Sequence, residues 1–375
     1  MKKILIVSPS LSMGGQEKML VTLSNLLSRN GYGVTVVIYN PFFDLKDELD
    51  SGVELIYRPP KKHLGNKIPY IRHEFYDYGL WETRVSARQL YRHYVGNEKY
   101  NVEIAFFRGR SVKIISGSTN PDSRKIAWVH SDFTKCEGIE GNFKGMDAVK
   151  KAYDVFDKIV CVSKPAEKAF AQVIGLDDKT VTIQNCVPVS DITEKSKAPC
   201  DFEKKRFTVM SVGRLHKVKG YDRLIRACAS LQKAGTQLDL VIIGKGEEAE
   251  NLRSLAAELD FPNLTLLGQQ DNPYRYVKNA DLYVCSSFYE GFNLTIAEAL
   301  ALGVPALSTD CSGPCEILDN GEYGMIVENS EDGLYNGILK LTQAPELLEK
   351  YKSKTKERTE FFDEDTYMQK IEKII

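Results

Sequence analysis

No apolar run in the 375-residue chain approaches the roughly 18–20 residues that a bilayer-spanning helix needs. The opening, Met1-Lys-Lys-Ile-Leu-Ile-Val-Ser, has a basic pair but too short an apolar stretch for a secretory leader. It reads as a first β-strand, and the expected location is the cytoplasm. The net charge is only −1, which gives no global attraction to nucleic acid or membrane. There is no C-x-x-C pair. The eight cysteines are scattered, and even Cys311 and Cys315 are four apart, so several read as small buried hydrophobes and neither a metal nor a disulfide is expected. No G-x-G-x-x-G fingerprint follows a strand, so a nicotinamide cofactor is not indicated. What remains is an ordinary globular composition, long enough for two domains.

The first 40 residues read as strand, loop, helix and strand. Lys2–Ser8 is an apolar run. Gln16–Asn30 places Met19, Leu20, Leu23, Leu26 and Leu27 on one helical face, and Val34–Tyr39 is a second run. Such near-continuous apolar strands suit a parallel sheet covered on both faces. The polar stretch Ser190–Lys205, with Pro188 and Pro199 around it, reads as a linker. Alternation then restarts with strands at Arg206–Arg214, Leu238–Gly244, Asn263–Gly268, Asp281–Ser287 and Val304–Ser308. Helices are predicted over Tyr221–Lys233, Glu247–Leu259 and Leu294–Leu302. Two successive βα series predict two doubly wound domains. From about Asp363 a short amphipathic helix is expected.

Two segments of the second series carry chemistry. Glu290 lies in a strand-to-helix loop and Glu298 about one turn inside the following helix. Between them the backbone N–H groups of Asn293–Ile296 would point out of the helix start, an anion site with a carboxylate on each side. A ligand with a central diphosphate and hydroxyls at both ends, such as a nucleotide sugar, fits that pattern. Arg214 and Lys219 flank the loop after an earlier strand, where open α/β sheets bind ligands. Two cations there can grip a departing diphosphate; read alone, the same loop is simply a solvated basic turn.

In the first series, Gly14 and Gly15 open the first helix, as a phosphate approach or only a tight turn. His130 ends an apolar strand, either facing a ligand or buried and hydrogen-bonded, while Trp128 reads as core. From Arg58 to Arg110 there are eleven Lys and Arg against five Asp and Glu. Tyr70, Phe75, Tyr76, Tyr78, Trp81, Tyr91 and Tyr94 are interleaved, and Arg84, Arg88 and Arg92 share one helical face. This mixture suits an anionic membrane surface or a lipid diphosphate, or else a solvated helix pair.

In this order the elements resemble the retaining glycosyltransferases of family 4 (glycosyl transferases group 1). The resemblance is carried by Gly14-Gly15-x-Glu17, His130 in Trp-Val-His, Val212-Gly-Arg-Leu with Lys219-Gly, and Glu290-Gly-Phe-x-Leu-x-x-x-Glu298-Ala. Gly303-x-Pro305 and Gly313-Pro-x-Glu316-Ile also fit. It implies the GT-B fold, two Rossmann-like doubly wound α/β domains facing a central cleft. Residues 1–190 would take the acceptor and 191–355 the nucleotide sugar, with the C-terminal helix 356–375 packing back on the first domain. The resemblance also implies roles. Arg214 and Lys219 would stabilise the leaving diphosphate. Glu298 would hold the ribose, and Glu290 with the backbone of Gly291, Phe292, Asn293 and Leu294 would position the donor sugar. Gly268 and Gln270 would lie by the base. Gly14 and Gly15 would border the donor diphosphate and the acceptor, and His130 would contact the sugar. Asn293 departs from the Gly or Pro frequent in the family, and its side chain could bond a sugar hydroxyl.

The expectation is a retaining hexosyl- or N-acetylhexosaminyltransferase using a nucleotide sugar, more specifically a UDP-sugar, with no cofactor and no divalent metal. The acceptor would be a lipid-linked glycan of surface polysaccharide synthesis, met at the inner membrane face by a peripheral protein; no nucleic acid is involved. A nucleotide-sugar epimerase of the same fold and a catalytically idle sugar-binding scaffold are the alternatives.

Overall fold

The structure, a computed structural model, describes residues 1–60 and 85–375. The chain divides into two compact units, the first of residues 1–184 and 367–375 and the second of residues 185–366.

Among the described residues, the first unit holds seven strands in one sheet: β1 (Lys3–Ser8), β2 (Gly33–Ile38), β3 (Val53–Tyr57), β4 (Val102–Ala105), β5 (Arg124–Val129), β6 (Lys158–Cys161) and β7 (Thr180–Thr182). Their spatial order is β3-β2-β1-β4-β5-β6-β7, and every pairing is parallel. Ile4, Leu5, Ile6 and Val7 of the central β1 are fully buried, as a strand covered on both faces requires. Helix α1 (Gly15–Arg29) covers the sheet with Met19, Leu20, Leu23, Leu26 and Leu27. It closes with Gly31 N–H bonded to Ser28 O and Tyr32 N–H to Leu27 O, the paired C-terminal bonds that satisfy its last carbonyls.

The second unit repeats the plan with β8 (Phe207–Val212), β9 (Leu238–Ile243), β10 (Leu264–Gly268), β11 (Leu282–Cys285), β12 (Ala306–Thr309) and β13 (Met325–Val327). The order is β10-β9-β8-β11-β12-β13, again all parallel. The predicted helix over Tyr221–Lys233 is present with those bounds.

Two segments differ from the sequence reading. The expected linker over 190–205 begins as a helix, α3 (Val189–Ser196), following α2 (Ala87–Tyr94) in the chain. Within it Ile192 and Ser196 are buried while Ser190, Asp191, Thr193 and Glu194 are exposed, so the segment rests on one apolar anchor. The stretch 356–375 is divided. Its first residues complete a long helix (Pro345–Glu360) of the second unit, where Arg358 donates to Glu316 O and Ile317 O over 2.6 Å each. A separate helix follows (Glu364–Glu372), and only residues 367–375 group with the first unit.

Candidate functional site

In the second unit the strand order reverses between β8 and β11. Their connections leave toward opposite sides, and ligands of open α/β sheets bind in the crevice beyond such strand ends. The loops leaving these two strands hold Arg214, Lys219 and Glu290. Lys219 Nζ lies 2.6 Å from Glu290 Oε1, an ion pair whose side chains are 21% and 15% exposed. Ser287 Oγ donates to the same oxygen over 2.8 Å and Asn293 Nδ2 over 3.2 Å. Three donors therefore fix Oε1, and Oε2 is the oxygen left to face a ligand. Burial opposes the charge of Lys219, but the adjacent Glu290 carboxylate outweighs it, and the ammonium pKa is raised.

Arg214 is exposed at the start of its loop, two residues after β8. The loop is held from behind by Gly213 N–H to Ile243 O and Leu215 N–H to Lys245 O, both 2.9 Å. At Gly244 (φ +148°) a Cβ would sit 1.9 Å from Gly213 O, so only glycine permits the approach. The sequence signal for this turn is Gly244-Lys-Gly246, a Gly-x-Gly at a strand end. The Glu290 loop is backed in the same way by Gly313. Its Cβ would lie 2.7 Å from Phe292 Cα and O, and its N–H bonds Glu290 O over 3.3 Å.

Glu298 is buried in helix α4 (Leu294–Ala301) and accepts from Tyr274 Oη over 2.9 Å. No motif marked Tyr274. At the end of β10 the Gln270 side chain is tied to Leu267 O over 3.0 Å. That leaves the backbone around Gly268 and Gln270 as the surface a base could meet.

The Phe292 side chain is 4% exposed and packs on Phe362 with ring centroids 5.7 Å apart, because its apolar ring belongs in the core, so its backbone is the part that can meet a ligand. Two expectations change here. The Ile296 N–H is not open to an anion, since Asn293 Oδ1 caps it over 3.1 Å. The Asn293 side chain is occupied by protein partners and has no hydrogen-bonding position left for a sugar hydroxyl.

In the first unit the reversal lies between β1 and β4. Gly14, which follows β1, caps α1, and Gly15 is its first residue. A Cβ on Gly14 would meet Glu17 Oε2 at 2.3 Å, and Ser12 Oγ donates to Glu17 Oε1 over 3.1 Å. A carboxylate thus sits beside this helix start, where the helix dipole favours it. His130, directly after β5, has Nε2 2.9 Å from Phe106 O and packs on the rings of Phe106 and Phe107. A carbonyl only accepts, so Nε2 carries the proton. Burial lowers the ring pKa to about 4, and the neutral ring offers Nδ1 as an acceptor. Unfolded, the ring titrates near its ordinary value of about 6.5. The unfolded chain then binds a proton the folded one refuses, and stability should fall as pH drops from about 6.5 to 4. His130→Gln should flatten that part of a denaturation-against-pH curve; an unchanged slope would contradict a neutral His130.

Trp128 is core, as read. Arg88 and Arg92 are exposed on α2, whereas Tyr91 and Tyr94 of that helix are buried, so these two rings belong to the core. Arg84 and Tyr70, Phe75, Tyr76, Tyr78 and Trp81 lie outside the described residues. All eight cysteines are free. Among the described residues, no cluster of three or more His, Cys, Asp or Glu is placed to hold a metal, and no helix is long and apolar enough to cross a membrane.

Residues 192–358 match the family model of the glycosyl transferases group 1. An uncharacterized glycosyltransferase of Haemophilus influenzae is 27% identical over 97% of this chain and 95% of its own length. The Campylobacter jejuni N-acetylgalactosamine-N,N'-diacetylbacillosaminyl-diphospho-undecaprenol 4-alpha-N-acetylgalactosaminyltransferase is 33% identical over 56% of this chain and 58% of its own. The Anabaena HepE structure, solved with UDP and glucose, superposes with a TM-score of 0.77 at 18% identity, covering 100% of this chain and 99% of HepE. That likeness shows the fold, which is GT-B. Together, the fold and the family match over most of the second unit support a glycosyltransferase.

Proposed function

We propose that the protein is a retaining, metal-independent glycosyltransferase that moves a hexose or N-acetylhexosamine from a UDP-sugar to a lipid-linked glycan acceptor. The observation that carries this reading is the Lys219–Glu290 pair at the β8/β11 reversal, with Arg214 on the same loop as Lys219. Lys219 and Arg214 supply the positive charge that a departing diphosphate needs, each contact being worth roughly 2–4 kcal/mol in a dry site. Glu290 Oε2 accepts from a hydroxyl of the donor sugar, and Glu298 binds the ribose hydroxyls. The acceptor hydroxyl attacks the anomeric carbon on the face from which the diphosphate leaves. The bond from carbon to phosphate oxygen breaks as the new glycosidic bond forms, and the acceptor proton passes to the departing phosphate oxygen. Configuration is retained without an enzymic nucleophile.

The UDP assignment draws on HepE, which was solved with UDP, and the lipid-linked acceptor on the Campylobacter relative, whose name specifies a diphospho-undecaprenol substrate. Arg88 and Arg92 fit peripheral attachment to the cytoplasmic membrane face, which binding to anionic vesicles would test. Absence of that binding, with turnover of soluble sugars only, would remove the lipid-linked part.

A thermal-shift screen of UDP, GDP, ADP and their sugars in EDTA tests the donor site. UDP and one UDP-sugar should raise the melting midpoint, and Glu298→Ala should abolish the UDP response. Stabilisation by another nucleotide alone, or only after a divalent metal is added, would overturn the corresponding part.

A further inference from the structure

Asn293 holds a backbone conformation that few residues besides glycine adopt, φ +89° and ψ +77°, at the start of α4. All four hydrogen-bonding positions of its side chain are filled. The Glu290 carboxylate can only accept, so Nδ2 faces it, donating to Oε1 over 3.2 Å and to Cys285 Sγ over 3.1 Å. The Ile296 N–H can only donate, so Oδ1 faces it over 3.1 Å and also takes the Thr295 hydroxyl over 2.8 Å. Thr295 Oγ1 accepts from Tyr283 Oη over 2.6 Å. Tyr283 Oη accepts in turn from Val212 N–H over 3.3 Å, and Val212 ends β8, two positions before Arg214. A directional chain of hydrogen bonds therefore runs from Val212 through Tyr283, Thr295 and Asn293 to Glu290. It joins the root of the Arg214 loop to the carboxylate paired with Lys219.

We infer that Asn293 is a positioning residue: it holds Glu290 so that Oε1 faces the protein's own donors and Oε2 faces the donor sugar. The inference rests on the reading of Glu290 as a donor-sugar contact. Its strained backbone supports the assignment. A glycine would adopt this φ without cost, whereas the asparagine here has every polar atom engaged.

Glycine at this position fits the backbone, so Asn293→Gly should fold while freeing Glu290. A crystal structure of Asn293→Gly should show the Glu290 carboxylate displaced from Ser287 and Lys219. An unmoved carboxylate overturns the inference without any ligand being known. In turnover, Asn293→Gly should lose about 10- to 100-fold in kcat, as expected of a misplaced contact, with UDP affinity unchanged. Asn293→Asp gives a signature that a merely structural role would not. It places two carboxylates together, so one binds a proton only at lowered pH. Its activity should be least at high pH and recover as pH falls, while the wild type shows no such rise. A profile parallel to the wild type overturns the proposal. Glu290→Ala separates the two claims. If it lowers turnover while Asn293→Gly does not, the positioning role alone falls; if neither lowers it, the reading of Glu290 falls as well.

Discussion

Lys219→Ala is expected to lower turnover by about 10²- to 10³-fold while weakening UDP affinity much less. Its partner charge grows as the diphosphate departs, so the interaction is stronger in the transition state than in the bound donor. Steady-state kinetics beside calorimetric UDP binding would separate the two effects, and equal losses in both would mean uniform binding. The variant should also be less stable. Lys219 is paired with Glu290 over 2.6 Å, and its removal leaves a largely buried carboxylate with Ser287 and Asn293 as its donors among the described residues. Losing a partner of that kind costs about 1–3 kcal/mol. Arg214→Ala is the informative contrast. Arg214 is exposed, so its loss should reduce turnover with the melting midpoint unchanged. The double variant Lys219→Ala/Glu290→Ala should be less damaged than the sum of the single ones, because the two side chains act as one unit.

Gly244→Ala should be the most damaging single methyl group in the second unit. A Cβ there would sit 1.9 Å from the Gly213 carbonyl oxygen and 2.9 Å from its carbon, at a φ of +148°. These are backbone atoms and cannot swing aside. Strain and overpacking together should cost roughly 2–5 kcal/mol. For a unit of this size that lowers the melting midpoint by roughly 5–15 °C. Relief requires the backbone at 213 or 244 to shift, and the two are tied through Gly213 N–H to Ile243 O, so Arg214 should move and turnover should fall even at temperatures where the variant remains folded. A variant with wild-type melting and activity would show that the β8 and β9 turns are farther apart than described.

Much of this was legible along the chain. β1 and β11 read as apolar runs because strands covered on both faces have no solvent side to alternate with. The helix over Tyr221–Lys233 kept its predicted bounds because a polar, glycine-rich loop precedes it and its apolar face repeats at helical spacing. Other features left no periodic trace. The helix at Val189–Ser196 buries little beyond Ile192, so its sequence looks like a linker. Tyr274, which donates to Glu298, stands in a single helical turn far from any motif. Glu17 fills the space beside Gly14, which no spacing rule could reveal.

By itself the sequence determined the two βα series and the residue types at the strand ends: two cations, two carboxylates, a histidine and the glycine turns. Those follow from local periodicity and from chemistry that needs particular side chains after particular strands. Only the tertiary structure decided that β8 lies beside β11, which brings Lys219 onto Glu290 across 71 positions of chain. It alone decided that Asn293 turns inward to Glu290, because hydrogen-bond partners are chosen by what the fold places within about 3 Å.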